Sequence, residues 1–98
     1  MTRVVAYVPD LMDRSKVAAA GEVTFVSDPA ALASAAADVV VVDLDRPGVL
    51  EVLSQVTVPA IGFGSHVRRE VLDAARAAGC DTVLTRSEFF RRLPALLG

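Results

Sequence analysis

Most of the residues that could carry chemistry lie just after short apolar segments of the chain. Carboxylates can cap a turn by accepting hydrogen bonds from backbone N–H groups, and a guanidinium can form a lasting ion pair with one of them. We therefore expect Asp10 to cap the start of a helix, Asp43 to cap the following turn and Arg86 to pair with Asp43, whereas Asp13 and Asp45 are expected to be solvated. The residues in question are Asp10, Asp13, Asp43, Asp45, Ser65, Thr85 and Arg86.

The sequence lacks the signals of several common catalytic sites. No Gly-rich phosphate-binding loop follows the first apolar segment, and no nucleophile with a base partner or set of zinc ligands is visible. His66 follows Ser65 and is expected to be exposed. Cys80 is the single cysteine, so it cannot form an internal disulfide, and we expect it to be a small buried side chain. An enzyme is thus the less favoured class.

Apolar segments alternate along the chain with amphipathic or Ala-rich segments, which predicts five strand–helix units. Side chains that favour N-caps precede four of the helices, at Asp10, Asp28, Ser65 and Ser87. The helix after Ser65 is predicted to bury Val67, Val71, Ala74, Ala75 and Ala78, and the last helix Phe89, Phe90, Leu93, Leu96 and Leu97. The strands are predicted at 3–8, 22–27, 39–42, 58–63 and 81–85, and the helices at about 11–20, 29–37, 49–56, 66–78 and 88–97.

The third predicted strand, 39–42, indicates the kind of sheet. It is four valines in a row, a pattern typical of a central strand that is covered on both faces. Short right-handed crossovers then favour an α/β fold with a doubly wound parallel sheet and helices on both faces. In such sheets ligands bind beyond the carboxyl ends of the strands, which is where the candidate residues lie.

Length and composition indicate one domain, 1–98, with a dense apolar core. Hydrophobic residues make up 53% of the 98 residues, which suits a small chain that must bury its apolar surface efficiently. The net charge of -2, with both signs spread along the chain, argues against nucleic acid or an acidic membrane as partner. Without a secretory signal or an apolar run of about 18 residues, the expected location is the cytoplasm.

Three segments resemble the receiver domains of bacterial response regulators. Residues 39–48, VVVVDLDRPG, are similar to the phosphoacceptor segment, in which a buried strand ends in Asp and Pro–Gly follows four and five residues later. Residues 79–87, GCDTVLTRS, are similar to the receiver stretch Gly-Ala-Asp, two residues, Leu-Thr-Lys-Pro. Pro9–Asp10 stands where receivers carry an acidic pair. The resemblance covers nearly the whole chain, although 48–58 is short, and it implies the strand order 2-1-3-4-5.

In receivers the strand-end Asp accepts a phosphoryl group, Mg²⁺ neutralises charge and a Lys pairs with the phosphoryl oxygens. The resemblance places Asp43 at the phosphoacceptor, Asp10 and Asp43 at the Mg²⁺ site, and Arg86 at the Lys. Pro9 replaces the other acid. A hard cation needs several oxygen ligands, and Arg is a broad fork where Lys is a compact point charge. Mg²⁺ is therefore a possible cofactor rather than a certain one.

The switch positions of receivers are also altered. Gly64 stands where the switch Thr or Ser is expected, with Ser65 one residue away, and Val83 stands in place of the switch aromatic. These changes remove the hydroxyl and the ring that couple phosphorylation to a surface change. The chain thus resembles a degenerate receiver, or pseudo-receiver.

The resemblance implies a stand-alone signalling module that binds another protein or itself, independently of phosphorylation. Receivers often use their last strand and helices for such contacts, so we predict an interface that includes Phe89, Phe90, Arg91 and Arg92. One alternative is an active single-domain response regulator that is phosphorylated on Asp43 with Mg²⁺. Another is a small-ligand-binding or enzymatic α/β domain.

Overall fold

The computed structural model describes residues 2–97, and its centre is one sheet of five parallel strands in the order β2-β1-β3-β4-β5. The predicted α/β class, the parallel sheet and the strand order 2-1-3-4-5 are confirmed. The strands are β1 Val4–Tyr7, β2 Val23–Phe25, β3 Val39–Asp43, β4 Ala60–Gly64 and β5 Thr82–Thr85.

Helices cover both faces of this sheet. Val40 and Val42 of β3 belong to the core on one side of the sheet, together with Leu32 and side chains of α2 and α3. Val41 belongs to the core on the other side, together with side chains of α1 and α4. Alternate residues of a strand point to opposite faces, so the run of valines fills both cores. The helices are α1 Leu11–Ala20, a 3₁₀ helix Pro29–Ser34, α2 Val49–Leu53, α3 Arg69–Ala77 and α4 Arg86–Leu97.

Two of the predicted N-caps are confirmed. The Asp10 carboxylate accepts hydrogen bonds from the N–H groups of Met12 at 2.9 Å and Asp13 at 3.0 Å, and Asp28 accepts one from Ala30 at 2.9 Å. The element after Asp28, however, is a six-residue 3₁₀ helix and does not continue to residue 37. Leu32 is its only buried side chain, and a run of alanines offers too little packing to extend a helix.

The predicted caps at Ser65 and Ser87 are wrong. Helix α3 begins at Arg69, and the Ser65 hydroxyl instead accepts a hydrogen bond from Val67 N at 3.3 Å in the preceding turn. Val67 is consequently exposed and not part of the helix's buried face. Helix α4 begins at Arg86 behind a capping box, in which Thr85 Oγ1 accepts from Glu88 N and the Glu88 carboxylate accepts from Thr85 N.

None of the helices within residues 2–97 combines the length and the apolar character needed to cross a membrane. Cys80 is buried, as predicted, and burial raises the pKa of its thiol to about 11. A thiol with so high a pKa carries very little thiolate at neutral pH, which is consistent with a packing role.

Candidate functional site

Asp43 ends β3 and has a fully buried side chain whose two oxygens are both engaged. Oδ1 accepts a hydrogen bond from the N–H of Asp45 at 3.0 Å, so the predicted turn cap is present. Oδ2 accepts a hydrogen bond from Arg46 Nε at 3.3 Å, and Arg86 Nη1 lies 4.0 Å from the same oxygen. The carboxylate at the candidate phosphoacceptor position therefore has two guanidinium groups beside it.

Arg86, the first residue of α4, is hydrogen-bonded to Asp13 rather than to Asp43. Its Nη2 donates to Asp13 Oδ2, while its contact with Asp43 is ionic only. The guanidinium also lies over two aromatic rings, 5.3 Å from the centroid of Phe63 and 5.7 Å from that of Phe90. Burial disfavours the charge, but the hydrogen bond with Asp13 and the nearby carboxylates outweigh this effect and raise the pKa of Arg86.

Asp13 was predicted to be solvated, and this prediction is wrong. The residue is 5% exposed, on the same face of α1 as Val17, which packs against the sheet. Residues four apart share a helix face, so the packing of Val17 brings Asp13 inward as well. The long side chain of Arg86 supplies the opposite charge that a buried carboxylate requires.

Asp45 is not solvated either. Its Oδ2 accepts a hydrogen bond from the N–H of Ser65 at 2.8 Å, and its Oδ1 lies 3.5 Å from Arg68 Nη1. Oδ1 is itself buried and accepts no hydrogen bond from any residue between 2 and 97. Because β3 and β4 are neighbours, the loop after β3 lies beside the end of β4, and the Asp45 side chain is partly buried there, with 20% of it exposed.

Arg46 is the site residue that the sequence interpretation missed. It lies in the turn after β3, where Gly48 adopts a left-handed conformation with φ 82°. Its spacing of three residues from Asp43 was the available signal, since a tight turn brings such residues together. The turn thus folds the Arg46 side chain back onto the carboxylate that precedes it.

Asp10 is exposed, and its carboxylate is occupied as the cap of α1. The backbone N–H of Asp13 and then that of Met12 lower the pKa of Asp10, and the charges of Arg46 and Arg86 lower it further. No group of three or more His, Cys, Asp or Glu side chains capable of holding a metal ion forms between residues 2 and 97. Pro9 stands in place of a second acid and two guanidinium groups lie at Asp43, so Asp10 and Asp43 are the two carboxylates that could share a Mg²⁺ ion with water. Binding of Mg²⁺ there stays a prediction.

The three candidate switch residues lie at the ends or edges of the last two strands. Gly64 is buried at the end of β4, where an added Cβ would lie 3.2 Å from Leu72 Cδ2. Ser65 is held through its N–H by Asp45. Val83, in β5, packs partly buried against the core on the α2 and α3 side. Their role in switching stays a prediction.

Only part of the predicted interface is accessible. Phe89 is fully buried and stacks on Phe63 with ring centroids 4.4 Å apart, so its assignment to an interface is wrong. It lies one turn from the buried Leu93, on the side of α4 that faces the sheet. Phe90 is half-buried, and Arg91 and Arg92 are exposed.

The Asp43 carboxyl group should make the stability of the protein depend on pH. Burial raises the pKa of Asp43 above its ordinary value, although hydrogen bonds from Asp45 and Arg46 act in the opposite direction. Because the pKa of Asp43 is higher in the folded than in the unfolded state, the protonated carboxyl group favours folding. This stabilisation is complete below the unfolded-state pKa, and it is lost as the pH rises through the folded-state pKa. Asp43→Asn is thus expected to stabilise the protein at neutral pH, by an increment that shrinks on acidification.

Urea unfolding of wild type and Asp43→Asn at neutral and acidic pH would measure this increment. Asp73→Asn is the matched control, because Asp73 is exposed and its ion pair with Arg76 lies at the surface, where such pairs contribute little. An increment that is absent at neutral pH, or that grows on acidification, would contradict the expected sign.

The fold matches solved receiver domains over nearly the whole chain. A response regulator from Hahella chejuensis aligns with a TM-score of 0.82 and 20% identity over 98% of this chain and 92% of that one. A phosphorylated cyanobacterial phytochrome response regulator, RcpA, aligns with a TM-score of 0.81 and 14% identity, over 97% and 90% of the two chains. The Mn²⁺-bound form of the response regulator Rcp1 aligns with a TM-score of 0.76 and 12% identity, over 98% of this chain and 91% of that one.

By sequence, no protein-family model and no curated protein matches this chain. The structural likenesses, all at 20% identity or less for these three proteins, show the fold. The chain therefore has the fold of a response-regulator receiver domain.

Proposed function

We propose that this chain is a receiver-like signalling module of the cytoplasm that acts by binding a protein and does not depend on phosphorylation of Asp43. The fold supports the signalling class, since its solved neighbours are response regulators. The observation that carries the rest of the proposal is the pair of guanidinium groups, Arg46 and Arg86, at the Asp43 carboxylate.

Phosphoryl transfer to a carboxylate depends on a free nucleophilic oxygen and on cations that neutralise the phosphoryl charge. Here one oxygen of Asp43 holds the N–H of Asp45, and the other holds the guanidinium of Arg46. Arg86, at the position of the receiver Lys, is hydrogen-bonded to Asp13. The side chains thus provide a permanent positive charge where a receiver would recruit a divalent cation, and this arrangement favours one fixed conformation.

The active single-domain response regulator is the second candidate. The position of Asp43 at the carboxyl end of the central strand β3 favours it, because that is where the resemblance places the phosphoacceptor. In that case Mg²⁺ would have to displace Arg46 from Asp43, with Asp10 as a further ligand.

An amide NMR titration with Mg²⁺ and then beryllofluoride, a phosphoryl mimic, separates the two candidates. We expect no saturable shift of the amides of Asp10, Asp43 and Arg86 in the wild type, because the guanidinium groups hold the carboxylate. The phosphorylated cyanobacterial regulator aligned above serves as the positive control for the reagent. Saturable shifts at these amides that vanish in Asp43→Asn would overturn the proposal and establish phosphorylation as the switch.

A further inference from the structure

A groove runs between the two helices on one face of the sheet, α1 and α4, away from the Asp43 carboxylate. It has a volume of about 310 Å³ and is lined by Lys16, Ala19, Ala20, Phe90, Leu93 and Pro94. Small alanines on α1 leave this space open, and Phe90, which is half-buried and packs against the core, also lines it. Met12, one turn before Lys16 on the same face of α1, is 73% exposed and extends the apolar surface.

The charge of this groove is of one sign. Lys16 is the one charged residue of the lining, and its ammonium lies 5.0 Å from the centroid of the Phe90 ring. Arg91 is exposed and lies on α4 three residues before Pro94, so the two residues are neighbours on the helix surface, although Arg91 is not itself part of the lining. The carboxylate of Glu88, the acid nearest to Arg91 along α4, is already bonded to Thr85. The apolar groove therefore has one cation in its lining, Lys16, and a second, Arg91, next to Pro94 on the surface of α4.

A second copy of this chain is a poor occupant for such a groove. In a two-fold symmetric contact the same surface meets itself, so Lys16 and Arg91 of both copies would be brought into one interface. Juxtaposed like charges oppose association, whereas carboxylates opposite these cations would favour it. The charge pattern thus selects an acidic partner.

We propose that the α1–α4 groove binds an amphipathic helical segment of another protein, with apolar side chains on the groove floor and Asp or Glu residues opposite Lys16 and Arg91. A helix in a groove is a common mode of peptide recognition, with anchors at i, i+3, i+4 and i+7. This inference rests on the proposed function, because it identifies the surface and the partner chemistry of a protein-binding module.

The test uses two synthetic helical peptides with the same leucines at i, i+3, i+4 and i+7, flanked by Glu in one and by Lys in the other. Amide NMR of the full chain should show saturable shifts at Lys16, Ala19 and Phe90 with the acidic peptide and none with the basic one. Lys16→Glu and Arg91→Glu should each weaken binding of the acidic peptide about tenfold, since each substitution replaces an attraction with a repulsion. Arg92→Glu, on the other side of α4, is the matched control and should leave binding unchanged.

Absence of shifts with the acidic peptide, or equal binding of both peptides, would overturn the inference. Concentration-dependent shifts at the groove without peptide would also overturn it, by showing a second copy as occupant. These readouts lie in α1 and α4 and need no phosphodonor, so they are separate from the beryllofluoride titration at Asp43. Either proposal can therefore fail without the other.

Discussion

Replacing Arg86 with Gln is expected to lower the free energy of unfolding by about 2 kcal/mol. The change leaves the Asp13 carboxylate, whose side chain is 7% exposed, without its opposite charge. Removing one partner of a fully buried ion pair costs about 3–5 kcal/mol. The Arg86 side chain is 38% exposed, so solvent reduces the expected loss. Urea unfolding at neutral pH measures it, with the exposed Arg92→Gln on the same helix as control.

A double-mutant cycle with Asp13→Asn tests the same contact directly. If Arg86 pairs with Asp13, the double variant should be more stable than the sum of the single changes predicts, by about 1 kcal/mol or more. A parallel cycle with Asp43→Asn should give a smaller coupling energy, because Arg86 makes no hydrogen bond to Asp43 and lies 4.0 Å away. A coupling near zero with Asp13, or a larger one with Asp43, would contradict the arrangement of charges described above.

The fold could be predicted largely because its signals are local. Four valines in a row at 39–42 indicated a strand buried on both sides, and this strand lies within β3 at the centre of the sheet. Asp10 and Asp28 indicated helix starts, since an N-cap depends only on the side chain and the next few N–H groups. The alternation of strands and helices then left few possible topologies.

The predicted helix starts at Ser65 and Ser87 were wrong for two different reasons: a second capping residue precedes Ser87, and a contact from another loop holds Ser65. Thr85 precedes Glu88 by three residues, and this reciprocal pair places the start of α4 before Ser87. After Ser65, the N–H of that residue is held by Asp45 from another loop, and α3 begins only at Arg69. Contacts between distant segments therefore decided where this helix could begin.

The candidate site was predicted in its location but not in its pairing. Asp43 and Arg86 were expected at one edge of the sheet, and both lie there. Arg86 bonds to Asp13 because α1 turns that carboxylate inward. The orientation of α1 in turn depends on the packing of Val17 against the sheet. The burial of Asp13 and the partial burial of Asp45 could not be inferred from their own neighbours in sequence, since polar residues after strands are usually exposed.

Arg86 also connects the site to the groove. It contacts Asp13 and Asp43 on one side, and the ring of Phe90, which lines the groove, lies 5.7 Å from its guanidinium. Phe90 in turn carries the Lys16 ammonium over its ring. Arg86 and Lys16 thus both contact the Phe90 ring, so the candidate site and the groove share a side chain.

Phe89→Ala is expected to lower the free energy of unfolding by about 4 kcal/mol, the cost typical of truncating a fully buried Phe. Phe89 has no exposed surface, stacks on Phe63 and meets Phe90 edge-on with ring centroids 5.0 Å apart. Small domains have free energies of unfolding of about 5–15 kcal/mol, so this one change would remove a large part of the stability. Urea unfolding followed by circular dichroism measures the loss.

Phe90→Ala is the matched comparison, because the two phenylalanines are adjacent on α4 and differ in burial. Its side chain already faces the groove in part, so we expect at most half the loss of stability, together with loss of the acidic peptide's binding. Phe89→Ile, which keeps apolar volume in the core, should retain the groove and bind the peptide. Equal destabilisation by the two alanine substitutions would mean that Phe90 is also a core residue, and the floor assigned to the groove would then be wrong.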